Sequence, residues 1–149
     1  MRKIHLLIGV TAATALLGAC ATVEEAVAEK TTETYKAELR GANEPGGGDP
    51  DGSGSAEISI SDNFGEVCWD LNNITNIGPV TAAHIHRGAA GVNGPVVYSL
   101  KPANEGGWKG CADATEWTQD RIDNNPGAFY VNVHTAQYPN GAIRGQLHQ

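Results

Sequence analysis

Four histidines follow residue 20, and two of them stand two apart in Ala83-His84-Ile85-His86. On a β-strand, residues i and i+2 face the same side and lie roughly 6.6 Å apart along the chain. Ile85 then points the other way. If Ile85 enters a core, His84 and His86 share the opposite face. Tyr130-Val131-Asn132-Val133-His134 repeats the pattern. There Val131 and Val133 suit a core, which leaves Tyr130, Asn132 and His134 together on the far side. If the two strands are near neighbours, three imidazoles converge. Three neutral imidazoles with an open position suit copper or zinc. Histidines at strand ends also hydrogen-bond loop carbonyls, and that use needs no metal. His148, one residue before Gln149, is expected to be exposed.

The cysteines carry the next chemistry. Arg2 and Lys3 precede an apolar run from Ile4 to Leu17, and Leu17-Gly18-Ala19-Cys20 closes it. The stretch is short for a transmembrane helix and has the layout of a cleavable export signal. Its last four residues resemble a bacterial lipobox. That resemblance implies cleavage after Ala19 and a lipidated Cys20 as the first mature residue. Ala21 rather than Asp follows, which in a Gram-negative envelope favours the outer membrane. The expected address is therefore an exported, membrane-anchored lipoprotein facing the periplasm or lying at the outer membrane. An ordinary signal peptide, with Cys20 incidental, is the alternative. In an oxidising setting the two remaining cysteines, Cys68 and Cys111, make a disulfide the economical reading, with two separate thiols as the alternative.

These groups need elements to position them. Residues 20–34, with Glu24, Glu25, Glu29 and Glu33, hold few large apolar side chains and read as a tether. From Tyr35 the period becomes two. Tyr35, Ala37 and Leu39 alternate with Lys36, Glu38 and Arg40; Ala56, Ile58 and Ile60 with Glu57, Ser59 and Ser61; Val67, Trp69 and Leu71 with Glu66, Cys68 and Asp70. Asp62-Asn63-Phe64-Gly65 reads as the hairpin turn between the last two of these strands. Further strands are expected over Val80 to His86, Pro95 to Leu100, Phe129 to His134 and Ala142 to His148. Tyr138-Pro139-Asn140-Gly141 turns between the last pair, because Asn and Gly tolerate positive φ. Asp113 with Glu116 resembles a capping box and predicts one short helix over Thr115 to Asn124.

The 149 residues hold 19 glycines, which favours strands and tight turns over a helical bundle. The fold expected is all-β, an immunoglobulin-like Greek-key β-sandwich with one short helix, in a single domain over residues 35–149. The net charge of −7 argues against a general nucleic-acid partner. Asp49-Pro50-Asp51-Gly52-Ser53 begins like a calcium loop, yet Ile60 stands where the bidentate Glu would be needed. No Gly-x-Ser-x-Gly elbow and no phosphate loop is present. Arg87 and Arg144 are expected to partner internal acids.

Several segments together resemble the CHRD domain, named for its occurrence in chordin. They are Thr81-Ala82-Ala83-His84-Ile85-His86-Arg87-Gly88, Gly91-Val92-Asn93-Gly94-Pro95-Val96-Val97, Phe129-Tyr130-Val131-Asn132-Val133-His134-Thr135 and Pro139-Asn140-Gly141-Ala142-Ile143-Arg144-Gly145-Gln146-Leu147. The resemblance spans about Tyr35 to Leu147 and implies an all-β domain of exported proteins without a defined catalytic activity. The export signal, the tether, the two remaining cysteines and the lack of a catalytic motif lead to the expectation of a non-enzymatic binding or structural module, held to the membrane by lipid and meeting an envelope or extracellular protein. His84-Ile85-His86 before a Gly-rich loop also looks like the copper strand of Cu/Zn superoxide dismutase, with His134 as third ligand. That likeness implies a copper or zinc protein. The loop over residues 88–94 carries no His or Asp for a second metal of that kind, so dismutase activity is not expected.

Overall fold

The computed structural model describes residues 32–61, 64–114 and 122–149. The expected signal peptide, Cys20 and the tether up to residue 31 lie outside the described residues. So do residues 62–63 of the first hairpin turn and residues 115–121 of the expected helix, of which residues 122–124 are helical.

Among the described residues eight strands form in chain order: β1 (Thr32–Arg40), β2 (Ser53–Ser61), β3 (Glu66–Thr75), β4 (Val80–Arg87), β5 (Val96–Leu100), β6 (Trp108–Asp113), β7 (Phe129–Thr135) and β8 (Ile143–Gln146). All pair antiparallel in one sheet ordered β5-β4-β7-β8-β1-β2-β3-β6. The sheet curls until its edges nearly meet. The Tyr98 hydroxyl on β5 donates toward Ala112 O (3.0 Å) and Asp113 O (3.1 Å) on β6. Trp69 Nε1 donates to Lys101 O at 3.0 Å across the same gap. The all-β expectation holds, in the form of a nearly closed, barrel-like sandwich.

Alternation decides which side of each strand is inside. Tyr35, Ala37 and Leu39, then Ala56, Ile58 and Ile60, then Val67, Trp69 and Leu71 are all buried. Ile85, Val131 and Val133 join them from the other half of the sheet. Removing this apolar area from water is the main favourable term, roughly 1.5–3 kcal/mol for each large aliphatic side chain. A one-residue slip of any strand would turn its apolar set toward solvent, so burial also fixes register.

Several strand ends shift from expectation by one or two residues, and two differences are larger. β1 starts at Thr32, three residues before Tyr35, because β2 is long enough to pair Thr32 with Ser61 and Thr34 with Ser59. β6 is a strand that alternation alone did not reveal: Gly110 gives no apolar signal at its centre, and a bulky residue there would meet Trp69. β6 places Cys111 directly opposite Cys68 of β3, and the two form a disulfide. A disulfide of this kind fits an oxidising compartment.

The crosslink spans 43 positions of sequence. Replacing both cysteines by Ala is expected to lower unfolding free energy by about 3–4 kcal/mol through the freed unfolded chain. Urea unfolding of the variant against the oxidised parent measures it; an unchanged midpoint contradicts the expectation.

Candidate metal centre

β4 turns Ala83 and Ile85 into the core, so His84 and His86 must leave through the outer face. β7 does the same with Phe129, Val131 and Val133, which puts Tyr130, Asn132 and His134 outside. The strands are hydrogen-bonded neighbours, with His86 opposite Tyr130, His84 opposite Asn132 and Ala82 opposite His134. His134 therefore sits diagonally beside His84. The three imidazoles present one ligand atom each, all within 4.8 Å of one another. His84 Nδ1 and His134 Nε2 are 3.0 Å apart.

The hydrogen bonds at the back of two rings decide their tautomers. His86 Nδ1 donates to Gly94 O at 2.9 Å, and His134 Nδ1 donates to Pro139 O at 3.0 Å. Each proton is thus held on the outward nitrogen, and each Nε2 keeps its lone pair. His134 Nε2 accepts from His84 Nδ1. His86 Nε2 is buried and has no hydrogen-bond partner among the described residues. Ligands on a tetrahedral ion with bonds of 2.0–2.1 Å stand roughly 3.4 Å apart. An ion held by one nitrogen of each ring would need the rings to turn until the nitrogens, now within 4.8 Å of one another, reach that spacing. His84 would then present Nδ1 as a lone pair by moving its proton to Nε2.

Burial pushes all three imidazoles below the usual histidine range. For His84 the neighbouring His134 and His86 add to the shift. For His86 the bond to Gly94 opposes it, and for His134 the bond to Pro139 does. The cluster is accordingly neutral at pH 7, the form that binds metal.

A second layer holds these rings. The His86 ring stacks on Tyr130 at 4.9 Å, tilted by 10°. The Arg144 guanidinium lies 3.3 Å from the centroid of the same Tyr130 ring. Arg144 is fully buried, and its bonds go to the loop over residues 88–94: Nη2 to Ala89 O (2.9 Å) and Val92 O (3.0 Å), Nη1 to Asn93 Oδ1 (3.4 Å). Gln146 Nε2 reaches Gly88 O and Gly127 O, both at 2.8 Å. Gly94 N donates to the Tyr130 hydroxyl at 3.1 Å. Only glycine fits at residue 94, because a Cβ would stand 1.6 Å from Arg87 O. The expectation that Arg144 partners acids is thus corrected. It serves loop carbonyls instead, since the loop turns its backbone oxygens inward.

Residues 35–147 match the CHRD domain family. The chain belongs to that family. No curated protein and no solved structure matches it. Within this CHRD domain the sequence singled out His84, His86 and His134, and the fold brings all three together. His148 lies apart and exposed, its backbone bridged to Lys36. Tyr130, Gln146, Gly94 and Pro139 carry no chemical signature of their own and become visible only through these contacts.

The lowered imidazole pKa values give a pH dependence. An unfolded chain takes up protons near pH 6.5, while the folded cluster resists them, so stability falls as pH drops below 6.5. Glu44, considered below, acts oppositely over the range from 4.5 to about 7. The difference between parent and variant isolates the histidines. Metal-free parent is expected to lose more unfolding free energy between pH 7.5 and 5.5 than His84→Ala does. Equal losses in denaturant titrations at the two pH values refute this.

Proposed function

We propose that this CHRD-domain protein is an exported, lipid-anchored binding module of the cell envelope whose ligand is one copper or zinc ion, held by His84, His86 and His134. The observation that carries the reading is the pair of carbonyl acceptors behind His86 and His134. They take up Nδ1 of both rings and leave each Nε2 as the free ligand atom, while one ligand atom from each of the three histidines lies within 4.8 Å of the others. Imidazole suits both ions, and at equal availability copper binds more tightly. Three protein ligands leave a position open to solvent or to a donor group from another molecule.

The role is binding rather than catalysis. The CHRD domain is not known as an enzyme family. A lipid at Cys20 would keep the module at the membrane, where an envelope or extracellular protein can meet it. The disulfide is compatible with that compartment.

Protein exported into an oxidising compartment and purified without chelating tags is expected to hold one equivalent of copper or zinc by elemental analysis. His84→Ala, His86→Ala and His134→Ala are each expected to weaken binding by about 100-fold or more, since losing even an outer-shell partner typically costs 10–100-fold. His148→Ala should leave it unchanged. Absence of stoichiometric metal after loading, or equal effects of all four substitutions, would sink the reading.

A further inference from the structure

A cleft of about 270 Å³ opens beside the histidines, with Glu44, Asn93, Gln137, Pro139 and Asn140 among its lining residues. It lies between the two loops that orient the rings. Asn93 precedes Gly94, whose carbonyl holds His86, and Pro139 itself holds His134. Glu44 is only 8% exposed, and its Oε1 is buried without a hydrogen-bond partner among the described residues. A buried carboxyl oxygen left unpaired is costly, and structures seldom leave one so without a use. The conformation of Gly141, with φ of 139°, makes room for it: a Cβ there would stand 2.5 Å from Glu44 Oε1 and 2.8 Å from Asn132 Nδ2.

The chemistry of the missing partner follows from what lines the space. An unpaired carboxyl oxygen needs an N–H donor or a cation. Arg144 does not fill this role. It acts on Glu44 through space and favours its charged form, but its nitrogens are committed to the loop over residues 88–94 and to Gln146. Beside the buried Arg144 guanidinium a divalent ion would leave more uncompensated positive charge than a monovalent ammonium, which disfavours it. Gln137 and Asn140 bring amides, each able to donate and accept, which match a hydroxyl group. The volume lies at the small end for ligand pockets.

We propose that this cleft is a binding site for a small primary ammonium carrying a hydroxyl group, with Glu44 as its counter-charge. Burial pushes the empty Glu44 carboxyl up to about 7, and a bound ammonium would restore its charge. An occupant would brace both loops at once. The proposal stands apart from the metal reading, because it concerns the metal-free protein and none of the three histidines.

Saturation-transfer NMR on the detergent-solubilised, metal-free full chain tests it, with ethanolamine as the probe and ethylene glycol and calcium as controls. Ethanolamine is expected to saturate below about 100 mM, a weak but specific range. Ethylene glycol should bind at least about tenfold more weakly, and Glu44→Gln should cost ethanolamine about tenfold or more, the worth of a charged hydrogen bond. Gly46→Phe provides a second variant that keeps Glu44: Gly46 lines the cleft, and a Cβ there meets nothing within 4 Å, so a bulky side chain is tolerated at the cleft wall. It should also abolish saturation. Ethanolamine that never saturates, glycol that binds equally, calcium that displaces the probe, or binding that survives both substitutions would each overturn the proposal.

Discussion

The pairing of β4 with β7 is the constraint on which the site depends. Ile85 opposes Val131 and Ala83 opposes Val133, and all four are fully buried. Any other register would expose these apolar groups, at a cost of several kcal/mol by the usual area scale. Once that register is set, the outer-face residues have no choice of neighbour. His84, His86 and His134 gather because the residues between them are hydrophobic. Core packing thus sets the position of polar chemistry that takes no part in it.

The outer face of this part of the sheet is not left to water. Arg144 and Gln146 on β8 draw the loop over residues 88–94 down across Tyr130, by bonds to its carbonyls. Tyr130 is gripped between the guanidinium and the His86 ring. A buried cation normally demands a carboxylate, yet here backbone oxygens and an aromatic face take its place. The arrangement leaves Glu44 nearby without an ion pair of its own, and the cleft beside it polar. The histidine rings and the cleft are therefore built on the same two loops.

Much of this was legible in the sequence, for physical reasons that differ from residue to residue. Alternation around Ile85 and around Val131 and Val133 gave the faces of β4 and β7 directly, since the strand period of two admits few other readings. Cys68 and Cys111 were legible by counting. The adjacency of β4 and β7 was not, because it joins residues about fifty positions apart and depends on how the whole sheet closes. β6 escaped because Gly110 contributes no apolar side chain. The use of Arg144 was misjudged, since a sequence shows which acids exist but not which carbonyls a folded loop turns inward. Glu44 stood unnoticed within a run of Gly, Pro and Asp that reads as a plain turn, and only burial distinguishes it from the exposed carboxylates around it.

The chain enters the sheet at Thr32, opposite Ser61, whereas the His84 row runs through Asn132 and Arg144 to Arg40 at the other end of β1. Eight steps along that strand span roughly 26 Å. Were the domain tethered through the segment before Thr32, the imidazoles would lie at the pole away from the tether, turned toward molecules dissolved in the surrounding aqueous space.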